Sequence, residues 1–388
     1  MYIKEVLHSS DKKAFIQLPI GLYKGTPWIR PLDKDIEGIF NPEVNKTWRF
    51  GEAVRWLLYN DQNKVIGRIA AFTNSKTQDK DNDQPTGGVG FFECIDDQKA
   101  ANLLFDTAKE WLNSKGMEAM DGPINFGDRN AWWGLLVDGF DLEPNYQCNY
   151  NNRYYQQLFE NYGFQMYFKQ FTFARKTYDP LNPRLYEKAM MIMGNKDYEF
   201  RHVKKKEVEK NAENFRKVYN AAWANHSGVP EMSQAQAVNV IKSMLPIMDE
   251  KIVWFGYFKG EPIAFYINLP EINQVFKYVN GKLDLIGKLK FLYHQWRQTN
   301  QKMLGIVFGI APDHQGKGVD GALIEATRIM VQEEYKRYPY LELNWIGDFN
   351  PKMIRVAEQV GGDISKTHYT YRYLFDRTRP FQRMPIKN

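Results

Sequence analysis

The chain has 388 residues, of which 43% are hydrophobic and 25% charged, and a formal net charge of +6. This is the profile of a globular protein with room for two ordinary domains. The positive charge is spread out, and its one dense run, Lys204-Lys205-Lys206, is followed by Glu207 and Glu209, so a specific nucleic-acid surface is not expected. The N-terminus lacks the apolar core of a signal peptide, and no apolar run approaches the roughly 18 residues that cross a bilayer. A cytoplasmic location with no membrane partner is therefore expected. Cys94 and Cys148 do not make a disulfide framework, and the six scattered histidines form no metal-ligand cluster, so no metal site is predicted.

In chain order, residues 2–6 read as a strand. Residues 11–23 read as a helix capped at Ser10 or Asp11 and broken at Pro19, because proline removes an intrahelical donor. Residues 53–59 and 64–72 alternate as a hairpin around the turn 60–63. A polar loop follows, then a strand over 88–95. Asp96-Asp97 caps a helix in which Ala101, Leu104, Phe105, Ala108 and Leu112 recur at helical steps, and Lys115-Gly116 ends it. Residues 117–122 are strand-like and 123–150 irregular. A helix over 152–162 and a strand over 166–175 close the first half.

The turn-rich segment 179–183 reads as a linker, with a crossover helix over 184–193. The same order of elements then restarts: a strand at 200–204, helices at 211–223 and 235–248, and a hairpin of 251–258 with 263–269. Residues 270–301 are an insertion with a helix-like stretch at 288–296, and long connections in compact domains are usually functional. A strand, loop and helix over 304–330, a strand at 340–345, a helix at 351–360 and a strand at 369–375 complete the chain. One residue-level match supports a duplication: Asn152 precedes Gly163 and Asn350 precedes Gly361, eleven positions on in each case.

The segment 304–330 carries the main functional signal. Ile306, Val307, Phe308 and Ile310 form a buried-strand run that Pro312 ends, and Gln315-Gly316-Lys317-Gly318 leads into a helix with Ala322, Leu323, Ala326 and Ile329 on one face. A strand feeding a glycine loop that opens a helix presents free backbone N–H groups and a positive helix end, a cradle for pyrophosphate. Neither the Walker pattern nor GxGxxG is present. The run VFGIAPDHQGKGVDGALI resembles the cofactor motif of the GNAT superfamily of N-acetyltransferases: Gln315, Gly318, Leu323 and the Ile310-x-Pro312 step match, and Asp320 stands where Gly or Ala is usual. Near Gly90, Gly122 and Leu269 the chain is also similar to bacterial tandem-GNAT proteins.

That resemblance implies an α/β (α+β) fold of two GNAT-like domains in tandem, each a mixed, mostly antiparallel twisted sheet flanked by helices. The first (1–178) lacks a cofactor loop, 179–198 is the linker, and the second (199–388) carries the loop. It implies acetyl-CoA or another acyl-CoA as cosubstrate, held by Ile310, Gln315, Gly316, Lys317, Gly318, Val319, Gly321 and Asn350. The reaction would be direct attack of a small-molecule or peptide amine on the thioester, with a backbone N–H at 309–311 polarising the carbonyl. Candidate bases are Glu342, Asp348 and His314. The tyrosine that usually protonates the leaving thiolate falls on Ala357. The junction Glu93 to Gln98 of the first half has no glycine and two carboxylates where phosphates would lie. Trp132, Trp133, Tyr146, Tyr150, Tyr154 and Tyr155 could line an acceptor cleft or pack as core. A non-catalytic binding protein on the same scaffold and an aminoacyl-tRNA-dependent transferase are the alternatives. The oligomeric state is not legible.

Overall fold

One sheet of 13 strands runs through both halves of the chain. The computed structural model describes residues 1–80, 82–223 and 231–386. The first half contains β1 (Tyr2–Glu5), α1 (Ser9–Leu22), α2 (Asp33–Ile39), β2 (Gly51–Tyr59), β3 (Val65–Asn74), β4 (Thr86–Cys94), α3 (Gln98–Ser114), β5 (Ala119–Gly122), β6 (Leu135–Asp138), α4 (Tyr155–Tyr162) and β7 (Gln165–Lys176). The helix α5 (Pro183–Met193) leads into β8 (Tyr198–His202), α6 (Val208–Trp223), α7 (Gln234–Met244), β9 (Val253–Phe258) and β10 (Glu261–Pro270). The insertion forms α8 (Asn273–Val279) and α9 (Leu285–Trp296), followed by β11 (Lys302–Ile310), α10 (Val319–Ile329), β12 (Tyr340–Gly347), α11 (Pro351–Gln359) and β13 (Asp363–Leu374).

The strand order is β1-β2-β3-β4-β5-β13-β7-β12-β11-β10-β9-β8, with β6 pairing to β13 off this path. Each half contributes five strands in the same order, and the last strand of each half crosses into the other. Thus β13 pairs with β5, β7 pairs with β12, and the two exchanged strands pair antiparallel with each other at the centre. The two expected sheets are therefore joined edge to edge. In the first half, α3 and α4 pack on one face through Leu104, Phe105 and Phe159, and α1 and α2 on the other through Phe15, Ile36 and Ile39. The second half repeats this, with Phe215 of α6 and Ile241 of α7 on one face and Val319 and Leu323 of α10 on the other.

Two elements differ from the sequence reading for identifiable reasons. The helix α1 continues through Pro19. Proline leaves the carbonyl four residues back without its donor, and here the Phe15 carbonyl accepts from the buried Arg68 guanidinium instead. The segment 123–150, read as irregular, contains β6, a strand too short to show a period. Most pairings in the sheet are antiparallel. The parallel ones, β4 with β5 and β11 with β12, occupy matching places in the two halves.

Candidate active-site slot between two parting strands

The strands β11 and β12 pair only over Lys302–Gly305 and Tyr340–Leu343. Beyond Gly305, β11 continues against β10 alone and β12 against β7 alone, so the two diverge. A cavity of about 440 Å3 opens in the gap, lined mainly by apolar groups including Ile306, Phe308, Leu343, Ile346, Met353 and Ala357. Backbone polarity follows from strand alternation. The Ala311 N–H donates to the Ile263 carbonyl on β10 at 2.8 Å. The N–H and C=O of Ile310 and Phe308 therefore point the other way, into the gap. Within the stretch 309–311, alternation turns the Ile310 N–H away from β10, but the slot's lining along β11 ends at Phe308, and of the expected cofactor residues only Asn350 is part of it.

The loop after β11 is held from within: the Gln315 amide donates to the Ile310 carbonyl at 3.0 Å. Gly316 has φ of +71° and open space where a Cβ would stand. Gly318 is the N-cap of α10, at φ +97°, and no side chain caps this helix. Its first N–H groups, from Val319 onward, thus have no side-chain acceptor among the described residues. Gly318 and Gly321 serve packing as well. A Cβ at Gly318 would lie 2.7 Å from Lys188 Cβ and one at Gly321 3.0 Å from Leu185, because α5 presses against the start of α10. Asp320 lies in the first turn without capping it and lines the slot, and Asn350, the N-cap of α11, lines it too. Lys317 is exposed on the loop.

None of the three expected bases lines the slot. Glu342 is buried on β12 and bound by Lys302 at 2.6 Å and Lys366 at 2.7 Å, with Asn145 donating at 2.6 Å. Burial alone would raise its pKa, but the two ammonium groups outweigh burial and hold it below the usual carboxylate range. Asp348 accepts from the Lys169 N–H at 3.1 Å and pairs with Arg383. His314 shares a 3.0 Å hydrogen bond with Tyr198 and packs on Phe258; burial and nearby Lys317 lower its pKa.

The slot instead contains one side chain that the strand exchange delivers, with others from β10 and from the loop between β5 and β6. Arg175 comes from β7, bonded to the carbonyls of Val360 and Asp179, and burial pulls its pKa down. Tyr266 on β10 also lines the slot, and burial holds its hydroxyl far above its ordinary value, so it remains protonated at neutral pH. At one edge Arg129 sits among Trp133, Phe168, Trp345 and Phe349, with ring centroids between 5.4 and 5.6 Å away. Reading Arg175 as a neighbour of this slot required knowing which strand crosses into which half, and no local pattern carries that.

The matching place in the first half is closed. Counting eight residues from the start of each parallel ladder takes Thr86 to Cys94 and Lys302 to Ile310. The Cys94 N–H donates to the Tyr155 hydroxyl at 3.0 Å. That hydroxyl donates to Glu93, which also holds Tyr23 and Arg68 in a buried cluster. Ile124 N–H bonds to the Val89 carbonyl at 2.8 Å, so the chain after β5 fills the gap beside β4. Gly90 permits this, since a Cβ there would lie 1.9 Å from the Ile124 oxygen. Asp97 caps α3 by accepting from Lys99 and Ala100. Of the aromatic set, Trp132, Tyr146, Tyr150 and Tyr155 surround a separate cavity of about 60 Å3, Trp133 stands beside Arg129, and Tyr154 bonds the Cys94 carbonyl.

The doubled strand order, the paired parallel joints and the strand–loop–helix at one of them define the GNAT fold, present here in tandem. Among solved structures, a tandem GNAT protein from the clavulanic acid biosynthesis pathway matches with a TM-score of 0.53 and 10% identity, covering 98% of this chain and 99% of that one. A GCN5-related glucosamine N-acetyltransferase region in a fungal multi-domain GH3 β-N-acetylglucosaminidase matches with a TM-score of 0.51 and 13% identity, and this chain spans 38% of that longer one. Two curated proteins align over nearly full length. The bacterial ceramide synthase of Caulobacter vibrioides is 26% identical over 372 residues, 93% of this chain and 94% of its own. Protein YghO of Escherichia coli is 24% identical over 383 residues, 95% of this chain and 94% of its own. No family model matches the chain.

Proposed function

We propose that the protein is an acyl-CoA-dependent N-acyltransferase that joins a long acyl chain to the amine of a long-chain amino alcohol. The single observation that carries this reading is the apolar slot between β11 and β12, with Asp320 of the first, uncapped turn of α10 among its walls. An acetyl group alone would need little apolar wall. The full-length similarity to a protein named a ceramide synthase supports the same class of acceptor.

In this reading the residues divide as follows. The N–H groups from Val319 onward, with Gln315, Gly316, Lys317 and Gly318, meet the pyrophosphate, and Asn350 borders the pantetheine arm. The Ile310 or Phe308 N–H polarises the thioester carbonyl. The amine nitrogen attacks that carbon, the C–S bond breaks, the nitrogen loses a proton to solvent and the thiolate gains one. Tyr266 is the group proposed to supply the latter, in place of the tyrosine missing at Ala357. The first half, 1–178, is proposed as scaffold, since its equivalent N–H is already taken by Tyr155. One observation favours the alternative of a non-catalytic binding protein: Asp320 is the sole carboxylate among the described lining residues, and its charge would oppose a pyrophosphate at the start of α10.

The test is thiol release from acyl-CoAs of increasing chain length in the presence of short and long-chain amines. Turnover should require both a long acyl chain and a long-chain amino alcohol, and Tyr266→Phe should slow it by one or more orders of magnitude. Acyl-CoA binding by calorimetry with no thiol release from any pair would leave the binding-protein reading standing.

A further inference from the structure

We propose that α9 docks the protein onto an anionic lipid surface. The helix belongs to the insertion between β10 and β11, and its two sides have opposite environments. On the inner side Gly287 is buried, Phe291 packs on Phe276 with centroids 5.5 Å apart, and His294 stacks on Tyr278 at 3.9 Å. On the outer side, Leu285, Ile286, Leu289, Leu292, Tyr293 and Trp296 are all exposed, with Trp296 78% and Leu285 74% accessible. At about 3.6 residues per turn those six positions form one continuous stripe. A solvent-facing stripe of this kind costs hydration free energy unless something covers it.

Charge identifies the cover. Lys288 borders the stripe on one side, Lys290 and Arg297 on the other, and residues 285–301 contain no carboxylate. Lys282, Lys288 and Lys290 are exposed and form no ion pair among the described residues. An apolar stripe containing Trp and Tyr and flanked by cations is the pattern of a helix that lies in the headgroup region of a membrane. It lies on the surface rather than crossing it, since no described helix is long and apolar enough to span. The expectation of no membrane partner came from that absence of a spanning run, which does not bear on surface attachment. Docking of this kind does not rest on the acyl-transfer reading, because it would persist in a protein with no turnover.

Cosedimentation of the full-length protein with vesicles tests it. The protein should pellet with vesicles of equal parts phosphatidylcholine and phosphatidylglycerol and pellet far less with phosphatidylcholine alone. High salt should release it, since the Debye length falls from about 10 Å at 0.1 M to about 3 Å at 1 M. Leu289→Glu with Leu292→Glu should leave it in the supernatant with unchanged Tm, and Lys288→Gln with Lys290→Gln should weaken partitioning roughly fivefold per charge. Trp296→Gln is the second apolar variant if the double one does not fold. Failure to pellet with anionic vesicles, or equal pelleting by the variants, would overturn the proposal. So would a dimer that these substitutions split while vesicle binding is absent, because the stripe would then join two copies of the chain.

Discussion

Glu342 had the right chemistry for a base, and at the residue scale its partners decide its role. It is a buried carboxylate between two lysines, and removing one member of such a group leaves charge without compensation. Glu342→Gln should therefore cost about 3 to 5 kcal/mol in urea unfolding while leaving the affinity for acyl-CoA unchanged. A stable variant that has lost turnover would restore Glu342 as a base. Glu271 makes the opposite case. Burial pushes its carboxyl up to about 7, although the N–H groups of Tyr146 and Asn273 donate to it at 2.8 and 3.1 Å. Between the ordinary carboxylate value and about 7, the folded protein keeps a proton that the unfolded chain has released. Stability from this group thus falls as pH rises through that window. Tm should decline between about pH 5 and pH 8 more steeply in the wild type than in Glu271→Gln, and parallel profiles would count against the shift.

The unit that matters at the element scale is the strand, loop and helix from Lys302 to Ile329. Its pattern was legible because a β-branched run, a proline stop and paired glycines are local signals. The second use of those glycines was not, since the closeness of α5 to Gly318 and Gly321 depends on where a helix more than a hundred residues earlier in the chain is laid down. This bears on experiments. A bulky residue at Gly318 would displace Lys188 and confuse a packing defect with a binding defect. Met353, 41% exposed on the slot wall, is a cleaner position. Met353→Trp should weaken acyl-CoA binding tenfold or more by calorimetry, with stability changed by less than about 0.5 kcal/mol. Asp320→Asn should act in the other direction. Two like charges about 4 Å apart repel by roughly 1 kcal/mol in water, so acyl-CoA should bind roughly fivefold tighter. Unchanged affinity in both variants would move the cofactor away from this slot.

On the scale of the whole molecule, the duplicated order of elements could be read along the chain, but the exchange of β7 and β13 could not. Both are alternating strands of ordinary composition, and nothing in Gln165–Lys176 or Asp363–Leu374 says which neighbour each will take. The exchange is what brings Arg175 beside Tyr266, so the slot needs residues from both halves. It also means that residues 1–178 on their own would present β5 without β13 and β7 without either of its neighbours. That fragment should fail to give a cooperative thermal transition, whereas co-expression with 179–388 should restore one. An independently folded first fragment would show that the pairings are replaceable. The same feature sets an order of events during synthesis. Gly122 pairs with Tyr371, and at about 5 to 20 residues per second the ribosome takes roughly ten to fifty seconds to make the chain between them. For that interval the nascent protein carries an open edge at β5. The edge is only four residues long, Ala119–Gly122, which limits how much of a neighbouring polypeptide it could capture before its own C-terminal strand emerges.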